Sequence, residues 1–175
     1  MLEIIWNLLL IICAALFIMF TFVVLVGAPF LPTLNKRVTD IFLLVDLKPG
    51  QTLLELGSGD GRVLEAAAKQ GIKSIGYELN PLLVLYSKIK LWRYRKLVKV
   101  NWGNYWNAKL PKADAIFVFL LQPYMQKLDK KIIQDFPEGV KLVSFAFIID
   151  KKKPSKELNG MYLYNYPNRL KKIKN

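Results

Sequence analysis

The run Leu53-Leu54-Glu55-Leu56-Gly57-Ser58-Gly59-Asp60-Gly61-Arg62 constrains the fold more than any other stretch, because an apolar segment ending in an acidic residue passes straight into alternating glycines. A short apolar run of this kind reads as a buried strand. Glycine at 57, 59 and 61 suits a turn that needs positive φ and a ligand lying against bare backbone. Residues 61–70 carry Val63, Leu64, Ala66, Ala67 and Ala68, a helical pattern, so the turn's amides point from a helix N-terminus at whatever is bound. Two nucleotide-binding classes share this strand-turn-helix, and spacing separates them. A dinucleotide fingerprint needs glycine at position 62, where Arg62 stands, and no Lys-Ser/Thr pair follows to make a phosphate-cradling loop. Glu55 would repel phosphates and attract an ammonium group, so the turn suits a ligand with a cationic amino acid end.

About twenty residues on, Ser74-Ile75-Gly76-Tyr77-Glu78-Leu79-Asn80-Pro81 is a second short apolar strand, and its terminal Glu78 can accept both hydroxyls of a ribose. Together, E-L-G-S-G-D-G-R and Y-E-L-N-P resemble the first two motifs of the class I S-adenosylmethionine-dependent methyltransferases. The resemblance implies a Rossmann-like α/β fold, a doubly wound and mostly parallel sheet with its ligand at the carboxyl ends of the strands. It also implies S-adenosyl-L-methionine as cofactor. Glu55, Gly57, Gly59 and Gly61 would seat the methionine part, Glu78 the ribose and Asn104 the adenine, with Ser58, Asp60, Leu79, Asn80 and Tyr105 beside them.

The chain has 175 residues, one domain's worth, with a single cysteine, Cys13, and no histidine. An internal disulfide is impossible, a zinc site is not expected, and Ser-His or Cys-His catalysis is excluded. A sulfonium cofactor needs none of these, since it carries its own activated methyl group. The net charge is +13. Its basic residues gather at Lys88, Lys90, Arg93, Arg95, Lys96 and Lys99, with no acid among them, and in a tail holding Lys151, Lys152, Lys153, Lys156, Arg169, Lys171, Lys172 and Lys174. Nucleic acid, an anionic membrane surface and a merely solvated face are the three readings. The N-terminal segment favours the membrane and leaves nucleic acid unexpected.

No charged residue occurs from position 4 to 34, and residues 8–26 are almost wholly apolar. At ~1.5 Å per residue a helix of that length reaches across a hydrocarbon core of ~30 Å, so residues 4–28 are expected to be a transmembrane helix. A cleaved signal peptide fits less well, because Glu3 precedes the run and no Lys or Arg does. The first charges after it are Lys36 and Arg37, which puts the globular part on the cytoplasmic side of a single-pass protein. Residues 29–47 are expected to form a proline-broken link and a helix with Val38, Ile41, Phe42, Leu44 and Val45 on its apolar side. Lys48-Pro49-Gly50 stops that helix and opens the cofactor domain, residues 48–175.

Pro29-Phe30-Leu31-Pro32, a helix, K-P-G and the two motifs in that order look like the membrane-associated lysine methyltransferase family acting on the c-ring protein of ATP synthase and the adenine nucleotide translocase, with its prokaryotic relatives. The resemblance implies that Pro29, Phe30 and Pro32 line the acceptor site; Phe30 stands where the family has tyrosine. Asn104-Tyr105-Trp106 stands where the family has D-L-W. Trp102 and Trp106 either stack on the cofactor or pack the core. After the apolar strand at 114–120, Leu121-Gln122-Pro123-Tyr124 is an imperfect version of the (Asp/Asn)-Pro-Pro-(Tyr/Phe) that holds an acceptor nitrogen. Gln122 and Tyr124 are then the candidate catalytic residues and Pro123 a substrate contact, unless the segment is only a strand-to-helix turn.

The remaining expectations are a helix over 81–96 with Leu82, Leu83, Leu85, Ile89 and Trp92 on one side, a strand at 97–100, a helix at 124–136 and a fifth strand at 141–149. A final antiparallel edge strand covers 161–166, so the usual seven-stranded sheet is expected to be shortened at this end. The reading is a membrane-anchored protein-lysine N-methyltransferase acting on a membrane protein. A lipid, quinone or other small amphiphile is the alternative acceptor, and a non-catalytic module binding S-adenosylmethionine, lipid or RNA the alternative from another class.

Overall fold

The computed structural model describes the backbone of residues 1–26 and 35–170. The chain divides into two compact units, Met1–Leu31 and Pro32–Asn175. In the first, α1 (Leu2–Val26) is one continuous helix whose described side chains are exposed from Leu2 to Ala15. The expected transmembrane segment over 4–28 is not supported: among the described residues no helix is long and apolar enough to cross a membrane, which takes ~20 consecutive apolar residues. Residues 27–34, with the Pro29 to Pro32 link, lie outside the described residues.

The second unit is an α/β sandwich. Its elements are α2 (Asn35–Val45), β1 (Thr52–Leu56), α3 (Arg62–Lys69), β2 (Lys73–Glu78), α4 (Pro81–Lys90), β3 (Val98–Trp102), β4 (Ala115–Val118), α5 (Gln122–Asp135), β5 (Val140–Phe145), β6 (Lys156–Leu158) and β7 (Met161–Tyr166). The strands form one seven-stranded sheet in the order β3-β2-β1-β4-β5-β7-β6. Five are parallel; β7 runs antiparallel to both β5 and β6. The sheet is therefore not shortened, and β7 is not its edge. The added strand, β6, falls in the basic stretch, where three residues with two exposed side chains leave no apolar pattern to read.

Alternation along the central strands feeds two cores. Leu53, Phe117, Val143 and Leu163 meet Val38, Ile41 and Val45 of α2 and Val63 and Ala67 of α3 on one face. Leu54, Leu56, Ile116, Val118 and Leu142 meet Met125, Leu128 and Ile132 of α5 on the other. The helix at 35–45 is thus part of the domain core. The helix expected over 81–96 ends at Lys90 and gives way to a 3-10 turn, Trp92–Tyr94. Its buried residues are Val84 and Ser87, with Leu91 packed behind them, so the anticipated apolar side points outward. The fifth strand stops at Phe145 because Ala146 takes a φ of 68°, which breaks the extended run.

Candidate active site

The parallel strands deliver their carboxyl ends to one side, and β1 and β2 place Glu55 and Glu78 there as neighbours. In the turn after β1, Gly57, Gly59 and Gly61 have φ of 86°, 51° and 74°, as the motif requires. The amides of Gly57 and Ser58 both donate to the Tyr77 carbonyl at 2.9 Å, folding the turn back onto β2. Glu78 closes it from the other side: one carboxylate oxygen accepts from the Gly59 amide and the other from the Asn80 amide, each at 2.8 Å. One side chain thereby joins both motifs. Ser87 of α4, fully buried, adds a hydroxyl donated to the Gly59 carbonyl at 2.7 Å.

Electrostatics are concentrated on Glu55. Burial, then the Asp60 and Glu78 carboxylates, push it well above the usual carboxylate range, and Arg62 and Lys90 only partly oppose this. Its Oε2 is buried without a hydrogen-bond partner, as is the Ser58 hydroxyl. Gly57 has nothing within 4 Å of the position a Cβ would take. An orphaned acidic oxygen beside open space at a positive-φ glycine fits the ammonium end of a small cofactor. Asp60 is turned elsewhere. It receives Arg62 Nε and Nη2 at 3.0 and 2.9 Å, and lines an outer cleft of about 430 Å³ with Glu65, Lys69 and Lys90. Burial raises the Asp60 pKa, but the Arg62 hydrogen bonds and the charges of Lys90 and Arg62 outweigh it and leave the pKa lowered.

Asn80 is the N-cap of α4, its side chain accepting from the amides of Leu82 and Leu83. Asn104 likewise uses its side-chain oxygen locally, accepting from the Trp106 amide at 3.0 Å. This turn lets Tyr105 and Trp106 stack at 4.8 Å, with Trp106 6.4 Å from Tyr124. Burial, with the charges of Glu78 and Tyr124 behind it, raises the Tyr105 pKa, so its hydroxyl stays neutral between those two groups. Lys127 holds its ammonium 4.5 Å from the Trp106 ring. The structure thus unites Glu55, Glu78 and the glycines in one cradle, with the Tyr105, Trp106 and Tyr124 rings grouped beside one another.

Gln122, Pro123 and Tyr124 form the first turn of α5 rather than a preceding loop. The Gln122 amide is committed to the 148–150 segment, donating to the Ile148 carbonyl and an Asp150 carboxylate oxygen at 3.0 Å each and accepting from the Ile148 amide. Pro29, Phe30 and Pro32 lie outside the described residues. Two supporting residues escape the motif reading. A Cβ on Gly76 would fall 2.6 Å from the Ser58 hydroxyl and 2.7 Å from Leu64, so only glycine lets the turn lie on β2; an unexplained glycine inside a strand is the signal that points to it. Ser87 gives none, because a small polar residue in a helix is ordinary.

Residues 55–156 match the model of the ANTKMT methyltransferase domain. The mouse lysine N-methyltransferase of the ATP synthase c-ring protein is 31% identical over 128 residues, covering 72% of this chain and 51% of that protein. The mouse adenine nucleotide translocase lysine N-methyltransferase is 31% identical over 129 residues, covering 72% and 56%. The chain thus spans about half the length of these curated relatives. A crystal structure of an RNA methyltransferase from Salinibacter ruber with S-adenosyl-L-homocysteine superposes with a TM-score of 0.73 at 28% identity, covering 78% of this chain and 94% of that one. With the glycine turn, the bridging Glu78 and the seven-stranded sheet in place, the chain belongs to the ANTKMT methyltransferase domain family.

Proposed function

We propose that this protein binds S-adenosyl-L-methionine and transfers its methyl group to a lysine of a membrane protein. The observation that carries the reading is the cradle: Glu78 ties the Gly59 and Asn80 amides together while a buried Glu55 oxygen is left unpaired beside Gly57. The bound cofactor would supply an electrophilic methyl group. Glu55 and the glycine turn would hold its amino acid end, and Glu78, which keeps free lone pairs, its ribose. Tyr105, Trp106 and Tyr124 would exclude water and offer ring faces to an amine gaining positive charge. Desolvation among these rings lowers the pKa of an incoming lysine, presenting it as the neutral amine that in-line displacement needs. Gln122 would act on the acceptor only after releasing its bonds to 148–150, and Pro123 through backbone position. The lysine N-methyltransferase names of the mouse relatives support this acceptor.

We further propose that α1, whose described apolar side chains are exposed, holds the protein at a membrane, with the globular unit on the cytoplasmic side where Lys36 and Arg37 follow. RNA is a second reading of the acceptor, favoured by the Salinibacter ruber relative. Purified protein incubated with tritiated S-adenosylmethionine and membranes from its own source separates them. A labelled membrane-protein band is the expected result, lost when the acceptor lysines are chemically blocked. Label in the lipid extract or in RNA would replace the acceptor, and cofactor binding without any label would overturn the activity.

A further inference from the structure

The outward side of α4 is apolar. Leu82, Leu85, Tyr86 and Ile89, spaced three or four residues apart, form a stripe that Trp92 of the 3-10 turn continues, while Val84, Ser87 and Leu91 face the core. The least exposed member, Leu82, is 50% exposed, and Ile89 and Trp92 reach 69% and 67%. Trp102 extends the patch at its other end, its indole N–H donating to the Leu79 carbonyl just before α4 begins. Isolated exposed apolar residues are ordinary; a contiguous stripe marks a surface with a partner.

The flanking charge indicates which partner. No Asp or Glu occurs between Glu78 and Asp114. Arg93 is paired with Glu65 at 3.3 Å and Lys90 with Asp60 and Glu65, whereas Lys88, Lys96 and Lys99 have no ion pair among the described residues. Arg95 lies 5.0 Å over the Trp92 ring. Protein interfaces are depleted of lysine, and the aliphatic Leu82, Leu85 and Ile89 offer nothing to a base or a phosphate. An anionic bilayer suits every member: aliphatic side chains at the acyl boundary, Trp and Tyr at headgroup level and lysines against lipid phosphates.

We propose that α4 and its 3-10 turn dock flat on an anionic membrane surface. Because α4 starts two residues after Glu78, docking holds the cofactor end of β2 beside the lipid. The contact is separate from α1 and from methyl transfer, so its failure leaves the proposed activity untouched. The test uses the full chain with Cys13→Ser and Ile89→Cys carrying a polarity-sensitive fluorophore, against vesicles of phosphatidylcholine with and without phosphatidylserine. Label on Glu157→Cys, on the opposite edge strand, is the control, and label on the native Cys13 reports α1 alone. A blue shift at 89 that requires phosphatidylserine and is absent at 157 is expected. Lys88→Ala and Lys96→Ala should each raise the half-saturating lipid concentration about fivefold. An unshifted label at 89 while the Cys13 label responds would overturn the docking. So would a shift produced instead by an RNA oligonucleotide, or by raising protein concentration without lipid.

Discussion

Glu55 sits in a strand with burial and two neighbouring carboxylates all opposing its ionisation. Its raised pKa means that the cofactor-free folded protein holds a proton the unfolded chain releases. The resulting stability is complete below the ordinary glutamate range and is lost as pH rises toward the raised value. Thermal melts of the free protein should therefore decline from about pH 5 to 7, and Glu55→Gln should flatten that decline and raise the neutral-pH midpoint by a few °C. The same change should weaken S-adenosylmethionine binding about tenfold by calorimetry, since a charged acceptor for the ammonium is gone. Gly57→Val meets no clash but cannot hold a φ of 86° cheaply, and Glu78→Ala frees two amides. Both should greatly weaken cofactor binding with the circular dichroism spectrum retained; undiminished binding in both would refute the cradle. Glu55, Glu78 and the alternate glycines are legible in the sequence because their chemistry is local. Asp60 is not, as its direction is decided by Arg62 and Lys90, the latter thirty residues away.

Elements buried on both faces announce themselves. β1 and β4 lie between helices, so their apolar runs are continuous, and the helix at 35–45 has one apolar side that meets the sheet. α4 misleads for a physical reason: it is apolar on two sides, and the longer stripe is the one facing out. α5 begins earlier than expected, because Pro123 is tolerated in a first helical turn and draws Gln122 and Tyr124 into it. α4 also depends on its cap. Asn80→Ala removes the acceptor of the Leu82 and Leu83 amides and should cost about 1 kcal/mol, a drop of roughly 2–4 °C in the melting midpoint. Ile132→Ala, at a fully buried α5 position, should cost about 2–5 kcal/mol in a denaturant titration.

The two units divide the labour of the whole molecule. The cradle and both hydrophobic cores lie within Pro32–Asn175, so a protein lacking the first 31 residues should bind S-adenosylmethionine as tightly as the full chain while labelling membrane acceptors less. Equal labelling by both would remove the proposed role of α1. The sheet order carries a different consequence, one of timing. Until β7 arrives, β5 with its Val-Lys-Leu-Val-Ser-Phe sequence is an open edge able to pair with any extended chain nearby. Twenty-one residues separate Phe145 from Tyr166, so during synthesis at ~5–20 residues per second that edge stands bare for roughly one to four seconds. The β6–β7 hairpin thus serves the nascent chain as a late-arriving guard against misassociation, and a stalled or shortened product would leave the ribosome without it.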